Sequence, residues 1–194
     1  MVVKIVMKKI NKKKEKSTKI SASSKIKATF SSGKVISNSK EAMSLYGKSR
    51  FGEVIGGKAY YSSVEALYLI DKKKLEVTYS GKKLNYEKFL VFMEGLDVNF
   101  WPKYCVFKDL REKGYIVKTA LKYGAEFMVY DKGIKPGEDH SKWILFPVFE
   151  TNTLTWQEFA AKNRVAHSTK KNLLMGIVDE KNEVTYYEIQ WIKT

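Results

Sequence analysis

The chain has 194 residues, 44% of them hydrophobic and 13% aromatic, enough apolar material to bury one large core or two small ones. That balance excludes a disordered chain, and no stretch nears the ~18 consecutive apolar residues of a membrane span. The 36 Lys and Arg outnumber the 21 Asp and Glu, leaving a formal charge of +15; residues 1–30, with ten Lys and the single acid Glu15, carry +9 of it.

A surplus of this size implies a polyanionic partner, because neutralising phosphates releases counterions. Solubility or thermophile-style lysine enrichment is the competing reading. With no apolar signal stretch at its N-terminus, the protein is expected in the cytoplasm. The lone Cys105 leaves no internal disulfide or Cys-rich zinc site, and its neighbours Tyr104, Val106 and Phe107 mark it as a buried structural thiol.

Residues 1–24 form a basic arm containing Lys12, Lys13 and Lys14, although Val2–Ile10 has the β-branched content of an edge strand. From Lys25 to Ser37 two strands flank a hairpin turn at Ser32–Gly33. The stretch from Gly52 to Gly57 reads as loop. Ser62 and Glu65 have capping-box spacing and open a helix with Val64, Leu67 and Ile70 on one face. Leu75–Tyr79 is a strand, Ser80–Gly81 a turn, and Asn85 caps a helix that ends near Gly95. A first α/β domain over 25–97 closes there.

The second domain, 98–194, opens with a helix over Pro102–Lys113 stopped by Gly114. Strands follow at Tyr115–Thr119, Ala125–Asp131 and Trp143–Glu150, with a Gly- and Pro-containing loop from Lys132 to Asp139. Thr155 and Glu158 form a second capping box, opening a helix to about Ser168. Leu173–Val178 reads as a central strand, Asp179–Glu183 as an acidic turn, and Val184–Lys193 as an alternating strand. The fold class is α/β (α+β), with a mixed central sheet flanked by helices in the C-terminal domain.

Metal chemistry has little support in the sequence. His140 and His167 are the only histidines, and neither has carboxylates or thiols at ligand spacing. The acids scatter over surface turns, which weakens a two-metal nuclease, and no phosphate-cradling loop of the Gly-x-x-x-x-Gly-Lys-Ser/Thr type occurs. A metal-free route, with no cofactor, cleaves RNA through its own 2′-hydroxyl. It needs a base, an acid for the departing 5′-oxygen and positive charge on the phosphorane-like transition state. A Tyr base would need assistance, since the phenol ordinarily titrates near 10, and a neighbouring Lys would both lower that value and steady the transition state.

The segment from Gly114 through Tyr130, the run Glu138-Asp139-His140-Ser141, and Arg164-Val-Ala-His-Ser-Thr-Lys-Lys171 continuing through Asp179 and Val184–Tyr187 are similar to the catalytic domain of archaeal tRNA-splicing endonucleases. The resemblance covers most of 60–194 in unbroken order. It implies a nuclease-like catalytic domain in which Tyr130 is the general base, His140 the general acid and Lys171 the transition-state cation. Spacing alone does not choose Lys171 over Lys170; the register of the motif does.

The implied substrate is precursor tRNA with a bulge-helix-bulge, cut to 2′,3′-cyclic phosphate and 5′-hydroxyl ends. Arg164 and Trp191 are implied to grip a bulged base. Asp179, Glu180 and Glu183 would dock in a neighbouring dimer, and the last strand would pair across a two-fold axis. The chain is thus expected as a homotetramer, or as a heterotetramer with a paralogous structural subunit. The alternative function is a non-catalytic RNA-binding subunit. His167 is expected to make a structural hydrogen bond, and the arm before residue 25 has no equivalent in the family.

Overall fold

The computed structural model describes residues 3–7, as backbone, and 25–192. The Lys12–Lys14 run lies outside the described residues. Strand β1 (Val3–Met7) is the edge strand that the β-branched residues suggested. The chain forms two compact units, one ending at Phe100, the other beginning at Trp101 and taking in β1.

In the first unit β2 (Ile26–Ser31) and β3 (Lys34–Ser37) form the expected hairpin, with positive φ at both Ser32 and Gly33 as a two-residue turn of this hand requires. Helix α1 (Lys40–Ser49), capped by Ser39 and burying Ala42, is an element the sequence reading did not include. The Gly52–Gly57 stretch is not simply loop. It contains β4 (Glu53–Ile55), which turns through Gly56–Gly57 into β5 (Lys58–Tyr61). Two consecutive glycines at positive φ make that turn, so the glycines that argued for loop instead mark a hairpin.

Helix α2 (Ser63–Asp71) has its full capping box, and the buried Glu65 carboxylate also accepts the Gly52 N–H at 2.9 Å. Strands β6 (Leu75–Tyr79) and β7 (Lys82–Leu84) and helix α3 (Tyr86–Glu94) complete a sheet ordered β4-β5-β3-β2-β6-β7.

Helix α4 (Phe100–Glu112) leads into the second unit and stops as expected at Gly114. There follow β8 (Ile116–Thr119), a 3-10 turn at Leu121–Tyr123, β9 (Phe127–Tyr130), β10 (Trp143–Phe149), α5 (Trp156–Ser168), β11 (Asn172–Val178) and β12 (Val184–Trp191). The sheet order is β1-β12-β11-β10-β9-β8. Only β10 and β11 run parallel, and α5 is the crossover that a parallel pair needs.

Side-chain alternation divides the faces of this sheet. Ile144, Phe146, Leu173, Met175 and Ile189 pack in one core with Ala166 and Val165 of α5. On the other face Gly176 meets α4: a Cβ there would lie 3.0 Å from Val106 Cγ2. The Tyr186 hydroxyl on that face donates to Asp109 Oδ2 at 2.8 Å. Helices therefore cover both faces of a mixed sheet. β1 pairs antiparallel with β12 from Val3↔Trp191 to Met7↔Tyr187. It lies along the strand edge that the resemblance reserves for two-fold pairing.

Candidate active site

Strand direction assembles the site. β9 runs antiparallel to β10, and β10 parallel to β11, so the C-terminal end of β9 meets the N-terminal ends of both others. Tyr130 ends β9, His140 to Lys142 lead into β10, and Lys171 immediately precedes β11. Two backbone bonds zip this end of the sheet: the Lys142 N–H donates to Val129 O at 2.9 Å, and the Asn172 N–H to Lys142 O at 3.1 Å. A cleft of about 380 Å³ opens there, lined by Tyr130, His140 and Lys171 together with Lys122, Tyr123, Ser141 and the turn Gly137–Asp139.

Lys171 reaches its place through the stop of α5. The Lys171 N–H donates to Ala166 O, and the Lys170 N–H to His167 O, both at 2.9 Å. This is the double bond pattern of a Schellman motif, with Lys170 in the left-handed position at φ 55° where glycine is usual. The stop separates the two lysines that spacing could not: Lys171 enters the cleft and Lys170 does not. The Lys171 ammonium donates to Thr169 O at 3.0 Å, which holds its side chain along the cleft wall.

Tyr130 is 9% exposed. Burial pushes its phenol above the ordinary value, and the neighbouring Tyr123 adds to the rise. The expectation that a nearby lysine would lower it is not met. His140 is exposed, with its backbone N–H donating to Asp139 Oδ1 at 2.6 Å. At the rim, Lys142 pairs with Asp131 at 3.1 Å. Burial alone would raise the Asp131 carboxyl, but the Lys132 N–H and the Lys142 ammonium hold it below its usual range. Among the described residues, no three His, Cys, Asp or Glu side chains stand close enough to hold a metal ion.

Lys171 also borders a larger cleft, of about 700 Å³, with His167, Lys170, Gln190 and Trp191. The Trp191 ring packs on His167, centroids 4.6 Å apart and tilted by 37°. His167 is exposed and makes this ring contact in place of the expected hydrogen bond. Arg164 is exposed on α5 one turn earlier and lines neither cleft.

In the acidic turn, Asp179 Oδ1 accepts the N–H groups of Lys181 and Glu183 at 2.9 and 2.8 Å. Asn182 takes the left-handed conformation, and its Oδ1 accepts the Trp101 indole N–H at 2.6 Å. Asp179 thus builds the turn, while Glu180 and Glu183 are exposed. Lys122, Tyr123 and Ser141 were given no role from sequence. All three lie inside the stretches that carried the resemblance, and that was the available signal.

A family model described as tRNA intron endonuclease, catalytic C-terminal domain, matches residues 100–186, and one for the N-terminal domain of the same enzymes matches 26–90. The chain is 42% identical over 165 residues to a tRNA-splicing endonuclease of Thermococcus kodakarensis, covering 84% of this chain and 96% of that one. It is 43% identical over 149 residues to one of Thermococcus onnurineus, covering 77% and 85%. To one of Nanoarchaeum equitans it is 48% identical over 136 residues, covering 67% and 87%. The catalytic-domain match spans every residue that lines the smaller cleft, and the two matches define an RNA endonuclease. The chain belongs to the tRNA intron endonuclease family.

Proposed function

We propose that this chain excises introns from precursor tRNA by cutting at bulge-helix-bulge sites without a metal. Tyr130 takes the proton of the attacking 2′-hydroxyl, His140 protonates the departing 5′-oxygen, and Lys171 neutralises the phosphorane. The ends left are a 2′,3′-cyclic phosphate and a 5′-hydroxyl. The observation that carries this reading is the shared lining of one cleft by those three side chains, drawn from three adjacent strand ends. A catalytically inert RNA-binding subunit has no need of that convergence.

Arg164 and Trp191 would hold a bulged base outside the cleft, with Trp191 already ordered against His167. Glu180 and Glu183 would face a basic patch on a neighbouring dimer in a homotetramer, the assembly being formed in the cytoplasm. Light scattering of the pure chain separates this from a heterotetramer, which would leave the chain alone as a smaller species.

The test is cleavage of an end-labelled bulge-helix-bulge RNA in EDTA, with the product ends identified. Cyclic phosphate ends at both bulges are expected. Tyr130→Phe, His140→Ala and Lys171→Ala should each lose about 10²–10⁴ in rate while still binding RNA. Cleavage that appears only on adding Mg²⁺ would overturn the mechanism.

A further inference from the structure

Among the described residues four buried side-chain polar atoms lack a hydrogen-bond partner: Arg50 Nε, Tyr61 OH, Ser141 Oγ and Trp143 Nε1. Of these residues only Ser141 lines the cleft that holds Tyr130, His140 and Lys171. Ser141 is 5% exposed. The contrast with Ser37 is instructive, because that serine is 3% exposed and its hydroxyl donates to Lys27 O at 2.7 Å. A buried hydroxyl normally finds such a partner, and one left without calls for an explanation, which a ligand in the cleft would supply.

The backbone on either side of Ser141 is held in place. The His140 N–H donates to Asp139 Oδ1, and the Lys142 N–H to Val129 O, so the Ser141 Cβ is fixed against the end of β9. Only rotation about χ1 is left to the hydroxyl. A neutral O–H suits a task its neighbours leave open: His140 is committed to the leaving oxygen, and the Lys171 ammonium is tied to Thr169 O.

Resting on the reaction proposed above, we infer that Ser141 is a further catalytic residue, whose hydroxyl donates to a non-bridging oxygen of the scissile phosphate as negative charge builds there. A directed donor on one of two diastereotopic oxygens contributes a stereochemical preference that its removal takes away. Loss of such a donor lowers turnover by about 10²–10³.

The experiment compares wild type with Ser141→Ala, under single turnover at saturating enzyme, on RNA carrying Rp or Sp phosphorothioate at the scissile position. Wild type should discriminate between the diastereomers. Ser141→Ala should be slower by about 10²–10³ on the all-oxygen RNA, bind it equally well, lose the discrimination, and melt no lower than wild type. Unchanged turnover with a lowered melting temperature would show a structural hydroxyl and overturn the inference. So would slow turnover with the discrimination intact. Failure of the wild-type chain to cleave as a homotetramer would instead refute the reaction itself, and this role of Ser141 with it.

Discussion

Burial raises the Tyr130 phenol, and a raised phenol makes the phenolate scarce. If Tyr130 acts ionised, the active fraction follows the phenolate, and raising the phenol extends that rise to higher pH. Removing the acid unmasks the base: in His140→Ala the residual rate should climb about tenfold per pH unit up to pH ~10, and Tyr130→Phe added to it should abolish the climb. The profile is read below that limit because Tyr61, Tyr115 and Tyr186 are also raised, chiefly by burial. Their contribution to stability is fully present below the unfolded value near 10 and is lost as pH rises through the folded values. Lys170 provides a separate test. Its left-handed φ of 55° strains any residue but glycine, so Lys170→Gly should stabilise by up to about 1 kcal/mol and keep cleavage. Thermal melting and the RNA assay check both halves.

At the scale of elements, α4 approaches the sheet only because β11 has no side chain at Gly176. A Cβ would meet Val106 Cγ2 at 3.0 Å and Cγ1 at 3.1 Å, and Val106 is fully buried on a helix with little room to withdraw. Gly176→Ala should therefore cost about 1–3 kcal/mol, read as a lowered denaturant midpoint, and leave the catalytic groups intact. The capping boxes at Ser62/Glu65 and Thr155/Glu158 were legible because both halves of each bond lie within four residues. The short strands β4 and β7 were not. Their three-residue spans carry no periodicity, and pairing with β5 and β6 makes them strands.

For the whole molecule, the +15 charge should make RNA affinity fall steeply with salt. Replacing Lys12, Lys13 and Lys14 together with Gln should reduce the slope of log affinity against log salt by about two if each meets a phosphate, while the bulge preference stays. Titrations at several salt concentrations measure it. Composition, the caps and the motif that carries the resemblance determined by themselves the two-part α/β layout and the residues on which to look for chemistry. They did so because helix caps, turns and strand alternation are short-range constraints written in neighbouring residues. Only the tertiary structure decided that Tyr130, His140 and Lys171 share one cleft, that Ser141 lies among them unpartnered, that Asp179 Oδ1 braces its own turn, and that β1 lies beside β12. Those outcomes depend on which strands pair and in which direction, and the free energy of such pairing is distributed over residues far apart in the chain.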